Sequence, residues 1–212
     1  MGLDQNLDKG LTIESSIELQ VATTDNIAEV LTLHYRYQVD AISAEDRADG
    51  FITTAFTAEQ LTDLIEKEQG LFIALLDGKI VAYAMAASWD FWSVWPMFAH
   101  MVKGLPGLTY QGQNLSTENS YQYGPVCVDK SVRGAGVFEA IFEFALQRMS
   151  SRYPILVTFI NKINPRSYAA HVDKAGLEVI QEFEFNNNQY FELVCATASR
   201  LGPDGRREPI ND

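Results

Sequence analysis

The sequence has few of the residues that form disulfides or bind metals. Its 212 residues include two cysteines, Cys127 and Cys195, and three histidines. Neither cysteine belongs to a CxxC pair, and no histidine stands at ligand spacing from either of them. Each cysteine lies in an apolar run typical of a strand, as expected of buried, reduced thiols in the cytoplasm. We therefore predict no disulfide, no metal and a cytoplasmic location.

Positive charge is also scarce, with 16 lysines and arginines against 28 acidic residues and a net charge of −12. This charge disfavours nucleic acids and anionic membrane surfaces as partners. No apolar run approaches the roughly 20 residues that span a membrane, and the first residues lack the basic and apolar regions of a signal peptide. The acidic field favours a small cationic partner instead.

Between residues 130 and 174 the balance reverses, because seven basic residues stand there against three acidic ones. A positive stretch in an acidic protein indicates a specific anionic ligand. The alternative is a chance imbalance on solvated helix faces.

The apolar content of 47% indicates one globular domain, which we place at residues 17–198. The polar segments 1–16 and 199–212 on either side of it are expected to be flexible. An aromatic-rich insertion at about 89–119 holds all three tryptophans and is too apolar for a solvated loop.

Hydrophobic periodicity predicts the element order β-α-α-β-β, insertion, β-α-β-α-β-β. Thr57 begins a capping box, Asp77-Gly78 forms a hairpin turn, and Asn164 caps a helix with Pro165 at its first position. Gly176 is placed to end that helix in the left-handed conformation. This order predicts an α/β protein with a mixed sheet and helices on both faces.

The most informative stretch is VCVDKSVRGAGVFEAIF, residues 126–142, in which a strand runs through a glycine turn into a helix. Successive backbone N–H groups at a helix N-terminus suit an anion such as a pyrophosphate. A Walker A loop requires Gly-Lys-Ser/Thr, whereas Val137 and Phe138 follow Gly136. A dinucleotide-binding GxGxxG loop requires a third glycine where Glu139 stands.

A third design fits two separate segments of the chain. Arg133-Gly134-Ala135-Gly136-Val137-Phe138 resembles the acyl-CoA pyrophosphate loop of the GNAT-type N-acyltransferase superfamily, with Phe138 replacing a small residue. The segment NPRSYAAHVDKAGL, which begins at Asn164, is similar to the helix that follows in that family. His171 stands where the family commonly has tyrosine, and one extra residue precedes Gly176.

The resemblance implies the GNAT fold, with a mixed, mostly antiparallel sheet. It also implies an acyl-CoA-dependent N-acyltransferase, most simply one that transfers acetyl from acetyl-CoA to a primary amine by direct attack. The alternative is a non-catalytic acyl-CoA-binding module with the same fold. A homodimer is also compatible with the sequence.

Site residues follow from the same resemblance. His171 is the predicted general acid and Tyr168 the reserve, whereas no residue is identified as the base. The N–H of Val126 or Val128 is predicted to polarise the thioester carbonyl. The predicted coenzyme-binding residues are Val126, Cys127, Val128, Arg133, Gly134, Ala135, Gly136, Val137, Phe138, Asn164 and Ser167.

The acceptor side is assigned to aromatic residues. Trp89, Phe91 and Trp92 of the insertion, together with Tyr123, are predicted to bind a small, cationic amine. Trp95 is predicted to join the first three in an apolar wall or a cation–π site. The competing interpretation of the aromatic cluster is a dimer interface or ordinary core.

Overall fold

A computed structural model of the chain describes residues 17–42 and 51–210. Its centre is a seven-stranded sheet in the order β1-β2-β3-β6-β7-β9-β8. The strands are β1 Ile17–Val21, β2 Leu71–Leu76, β3 Lys79–Ala87, β4 Thr109–Tyr110, β5 Gln113–Asn114, β6 Ser120–Val128, β7 Ile155–Asn161, β8 Glu178–Phe185, β9 Asn188–Ala196, β10 Ser199–Leu201 and β11 Arg207–Pro209. The predicted segment 1–16 lies outside the described residues.

Helices cover both faces of this sheet, as the sequence predicts. The helices are α1 Ile27–Arg36, α2 Ala58–Asp63, α3 Trp89–Trp92, α4 Pro96–Gly104, α5 Val137–Met149 and α6 Pro165–Ala169. Helices α1 to α4 pack on one face, where residues such as Val30 and Phe98 join the core beside Tyr83. Helix α5 packs on the other face through Ile141 and Phe142. The mixed α/β fold class is therefore confirmed.

The sheet is antiparallel except between β6 and β7, which run parallel. These two strands pair only from Ser120–Gln122 to Ile155–Val157 and then diverge. Just past this point, Gly124 and Pro125 lie opposite a register shift in β3, so β6 carries one extra residue there. A β-bulge is thus present in β6, and it faces a gap in the centre of the sheet.

Several turns and caps have the predicted conformation. The backbone N–H of Gln60 donates to the Thr57 hydroxyl in the predicted capping box, and Asn164 caps α6 in the same manner. Asp77 and Gly78 have φ values of 51° and 75° in the hairpin turn. Gly176 has a φ of 71°, as predicted for a left-handed residue after a helix.

The aromatic insertion is largely core. It forms α3, α4 and the small β4–β5 hairpin, and the side chains of Trp89 and Trp92 have no exposed surface. Their indole N–H groups donate to the Ser120 hydroxyl at 2.9 Å and to the carbonyl oxygen of Gln122 at 3.3 Å. Trp89 and Trp92 therefore secure α3 to β6 and do not face a cleft, unlike the substrate wall predicted for them.

The C-terminal residues differ from the flexible tail predicted for 199–212. Strands β10 and β11 form a hairpin, and Arg207 on it has a side chain only 2% exposed. The hairpin lies on Gly176, where an added Cβ would stand 2.7 Å from Leu201 and 2.8 Å from the carbonyl oxygen of Gly205. Residues 211–212 lie outside the described residues.

Candidate active site

Three adjoining cavities follow the gap between β6 and β7. The loop cavity, of about 260 Å³, lies between the glycine turn, the end of β6 and α6. The gap cavity, of about 130 Å³, lies between the diverging strands. The aromatic cavity, of about 590 Å³, lies between α4, β7 and the turn from β8 to β9. His171 and Val126 line both the loop and gap cavities, whereas Phe159 and Tyr190 line both the gap and aromatic cavities.

The glycine turn has the conformation that makes glycine necessary. Gly134 and Gly136 have φ values of 82° and 79°, which side-chain-bearing residues rarely adopt. A Cβ added at either residue would meet no protein atom within 4 Å among the described residues. The backbone conformation, and not crowding, therefore selects glycine here, and the main chain stays open to a ligand.

This turn presents unused hydrogen-bond donors. Among the described residues, the N–H groups of Gly134, Gly136, Val137 and Phe138 have no acceptor. They stand at the N-terminus of the 13-residue helix α5, where the helix dipole favours negative charge. The arrangement is suited to an anion with several oxygens.

Of the residues that the structure describes, three with cationic side chains line the loop cavity, namely Arg133, Arg166 and Lys174. Arg133 is held in place, since its Nε donates to the carbonyl oxygen of Val128 at 3.0 Å and its guanidinium lies 5.1 Å from the centre of the Tyr37 ring. Lys174 lies 3.4 Å from the carboxylate of Glu139.

The other basic residues between positions 130 and 174 do not line this cavity. Arg152 pairs with Glu68 at 2.7 Å, and Lys162 pairs with Glu182 at 2.5 Å. Only some of the basic residues in this stretch therefore lie at the candidate ligand site.

The main chain of β6 faces the gap with further donors. The N–H of Asp129 donates to the carbonyl oxygen of Val81 on β3 at 2.8 Å. Because N–H groups alternate in direction along a strand, those of Val126 and Val128 point away from β3 and into the gap. Cys127 between them is buried, and burial raises the pKa of its thiol to about 12, so it is a protonated, unreactive side chain.

The extra residue before Gly176 is absorbed by a change of helix type. Helix α6 continues as a π-helical turn over Ala170–Lys174, and the N–H of Ala175 bonds to the carbonyl oxygen of Ala170 at 3.0 Å. A π-turn accommodates one additional residue without shifting the elements on either side. His171 lies in this turn and therefore still lines the loop and gap cavities.

His171 is in the wrong protonation state for the predicted role of general acid. The residue is only 4% exposed, and burial lowers its pKa to about 4. Its Nδ1 lies 2.8 Å from the carbonyl oxygen of Ser167, which can only accept a hydrogen bond. At neutral pH the proton therefore resides on Nδ1, and Nε2 carries a lone pair. His171 can accept a proton or a hydrogen bond through Nε2 but cannot donate one there.

Of the remaining predicted catalytic and acceptor residues, Tyr168 and Phe91 line none of the three cavities, whereas Tyr123 lines the gap cavity. The ring of Tyr168 packs on Phe191 at 4.8 Å and lines none of the three cavities. Phe91 packs between Trp92 and Trp95, at 5.0 and 6.0 Å. The Tyr123 ring is buried, 5.3 Å from that of Phe142 and 6.1 Å from that of His171.

Most of the predicted coenzyme-binding residues lie together at the loop cavity. Nine of the eleven predicted residues line the loop cavity, and Ala135 and Gly136 are the two that do not. Phe138, which departs from the family pattern, lines the loop cavity and packs its ring 5.1 Å from that of His171.

Two polar residues at the gap, Gln122 and Thr158, are not among the site residues predicted from the sequence. The carbonyl oxygen of Tyr123 accepts hydrogen bonds from Gln122 Nε2 at 2.5 Å and from Thr158 Oγ1 at 2.7 Å. Thr158 is the one polar residue inside the apolar run of β7, and that interruption is the available sequence signal. Gln122 carries no comparable signal, because only the divergence of β6 and β7 places it at the gap.

No family model matches the sequence, and no curated protein matches it. Solved structures do match. The structure of yncA from Salmonella typhimurium with its cofactor acetyl-CoA aligns over 89% of this chain and 98% of that chain, with a TM-score of 0.58 and 11% identity. The chain has the GNAT fold.

Two further structures with this fold support the assignment. A GNAT-family acetyltransferase from Streptococcus agalactiae covers 85% of this chain and 95% of its own, with a TM-score of 0.57 and 11% identity. An N-acetyltransferase from Staphylococcus aureus covers 85% of this chain and 98% of its own, with a TM-score of 0.55 and 13% identity. The predicted resemblance to GNAT proteins is therefore confirmed at the level of the fold.

Within the described residues, no cluster of three or more His, Cys, Asp or Glu side chains could hold a metal ion. Over the same part of the chain, no helix has the length and apolar character of a membrane span.

Proposed function

We propose that the protein is an acyl-CoA-dependent N-acyltransferase, which transfers an acetyl group from acetyl-CoA to a primary amine by direct attack. One observation carries the proposal. The unused N–H groups of the glycine turn open into a cavity that continues, past His171, into the gap between β6 and β7.

The residues of the loop cavity fit the coenzyme in charge and shape. The N–H groups of Gly134, Val137 and Phe138 are placed to bind a pyrophosphate, and Arg133, Arg166 and Lys174 add positive charge on the same side. The diverging strands leave main-chain groups of β6 free to hydrogen-bond an extended pantetheine arm. When bound, acetyl-CoA supplies the activated thioester.

The gap then provides the chemistry of the transfer. The N–H groups of Val126 and Val128 are placed to donate to the carbonyl oxygen of the thioester as negative charge develops on it. The amine nitrogen bonds to the carbonyl carbon, the carbon–sulfur bond breaks, and the proton lost by the amine balances the proton gained by the thiol. His171 Nε2 can take up the amine proton on the way.

The proposal is tested by binding and turnover measured together. We expect CoA, but not ATP or NAD, to raise the melting temperature of the protein. We also expect amines to release free thiol from acetyl-CoA, as followed with a thiol reagent. Binding of CoA without thiol release across a broad amine panel would identify a non-catalytic acyl-CoA-binding module. Failure to bind CoA would reject both functions.

A further inference from the structure

The aromatic cavity is walled by rings that form one connected series. The ring of Trp95 lies 6.3 Å from that of Phe98, which lies 5.6 Å edge-to-face from Phe159, which in turn lies 5.6 Å edge-to-face from Tyr190. These rings come from α4, β7 and β9. Because three separate elements hold them, the wall is formed before any ligand arrives.

The cavity is roomy and its described lining is uncharged. At about 590 Å³ it is the largest of the three cavities, and it joins the gap through Phe98, Phe159 and Tyr190. Met97 and Ile163 extend the apolar surface, while Asn186 and Asn188 border it from the β8–β9 turn. Such a lining gains most from burying an apolar or aromatic group.

The gap cavity, which adjoins the aromatic cavity, is bordered by a buried hydrogen-bond acceptor that has no partner among the described residues. Gln122 is 1% exposed and lines the gap cavity. Its Nε2 donates to the carbonyl oxygen of Tyr123, which fixes the orientation of the carboxamide, since a carbonyl oxygen cannot donate. Its Oε1 is buried and has no hydrogen-bond partner among the described residues. A buried acceptor without a partner is unfavourable until a ligand donates to it.

We infer that the acyl acceptor is a primary amine with an aromatic or bulky apolar body. The body packs against the rings of Phe98, Phe159 and Tyr190, and the amine nitrogen enters the gap and donates an N–H to Gln122 Oε1. In the transfer, a nitrogen–carbon bond forms, the carbon–sulfur bond of the thioester breaks, and one amine proton ends on the departing thiol. This inference rests on the proposed function. It narrows the small, cationic amine predicted from the sequence to one with an aromatic or bulky apolar body.

A panel of amines tests the inference directly. With acetyl-CoA as donor, we expect 2-phenylethylamine and tryptamine to have kcat/KM values at least tenfold above those of putrescine and spermidine. Equal or better turnover of putrescine or spermidine would overturn the inference and leave the proposed function standing. Binding of CoA with no turnover of any amine would instead overturn the proposed function, and the inference with it.

Two variants connect the preference to the cavity. Phe159→Leu should raise the KM for 2-phenylethylamine at least fivefold, whereas Phe144→Leu, a similarly half-buried ring on the opposite face, should leave it unchanged. Gln122→Met, which keeps the volume and removes both hydrogen-bonding atoms, should raise the amine KM by a similar factor.

Phe159→Leu and Gln122→Met should both keep the CoA affinity of the wild type, measured by calorimetry on the full chain. A parallel loss of CoA affinity, or an unchanged amine KM in both variants, would contradict the assignment of this cavity to the acceptor.

Discussion

His171 donates its Nδ1 proton to the carbonyl oxygen of Ser167, four residues earlier in α6, across 2.8 Å. This bond fixes the tautomer, and burial opposes a second proton on the ring. The residue that stands in place of the family's tyrosine is therefore neutral, and its Nε2 can accept a proton or a hydrogen bond but cannot donate one.

The first prediction concerns acid stability. The pKa of His171 is lowered to about 4 in the folded protein, against about 6.5 when unfolded. The unfolded state therefore binds more protons between these values, and stability falls as the pH drops below about 6.5 and stops falling, for this group, near 4. The His171 contribution to this loss between pH 7.5 and 5 is about 2 kcal/mol.

The comparison of wild type with His171→Gln isolates that contribution. The variant should lose about 2 kcal/mol less than wild type over the same pH range, by urea unfolding. Burial lowers the pKa of His34 as well, so some pH dependence should remain in the variant. Identical losses in the two proteins would show that His171 is protonated as readily in the folded as in the unfolded state.

The second prediction concerns the glycine turn. Gly136→Ala places a side chain at a φ of 79°, which costs about 1–2 kcal/mol of stability. It also perturbs the N–H groups that open into the loop cavity, so we expect CoA affinity to fall at least tenfold. Gly78→Ala is the matched control, because its φ is 75°, its added Cβ also meets no atom, and it lies in the β2–β3 turn.

Both glycine variants should lose similar stability, measured by denaturant unfolding, and only Gly136→Ala should lose CoA binding. An equal effect of the two substitutions on CoA affinity would remove the special role of the turn at α5.

Features that depend on a few neighbouring residues are predictable from the sequence. The capping box at Thr57, the turn at Asp77-Gly78 and the left-handed Gly176 are of this kind, since their geometry is set within four or five residues. The glycine turn at Arg133–Val137 belongs with them. Together with the hydrophobic periodicity they predict the mixed α/β class, whereas the GNAT fold is predicted from the resemblance of two segments, at Arg133–Phe138 and Asn164–Leu177.

Which way an aromatic side chain faces is not local. Trp92 points into the core, where its indole N–H donates to the carbonyl oxygen of Gln122, thirty residues later in the chain. Trp95, only three residues after Trp92, lines the aromatic cavity instead. The sequence predicts an aromatic cluster that includes Trp95, but it does not distinguish Trp95 from the members of the cluster that line none of the three cavities, namely Trp89, Phe91 and Trp92. The same limit applies to His171, because its burial depends on Tyr123 and Phe138 from other elements.

The third prediction concerns the close packing of Gly70, just before β2, against Ala86 of β3. Gly70 follows the π-helical turn Leu64–Glu68, and a Cβ added there would stand 1.7 Å from the carbonyl oxygen of Ala86. The backbone must shift to relieve such an overlap, so Gly70→Ala should lose more than about 3 kcal/mol of unfolding free energy. Gly104→Ala, at the end of α4 with no atom within 4 Å of the added Cβ, should change stability by less than about 1 kcal/mol. Similar unfolding midpoints for the two variants would contradict the packing seen around Gly70.

The fourth prediction concerns the C-terminal hairpin, which Arg207 fastens to the domain. Its guanidinium binds both carboxylate oxygens of Glu143 on α5, at 2.7 and 3.0 Å, and donates to the carbonyl oxygens of Ala175 and Ser199. Removal of this buried charge leaves these four acceptor oxygens without the donor they have in the wild type. We therefore expect Arg207→Met to lose about 3 kcal/mol of unfolding free energy.

The neighbouring arginine provides the control. Arg206 has a side chain 86% exposed and stands 3.5 Å from Asp204, so Arg206→Met should change stability by less than about 0.5 kcal/mol. Because Arg207 holds the carbonyl of Ala175, just after the turn that carries His171, its loss should also expose that turn to amide hydrogen exchange. Fast exchange confined to residues 199–210 in Arg207→Met would mean that the hairpin is a separate unit, without influence on the site.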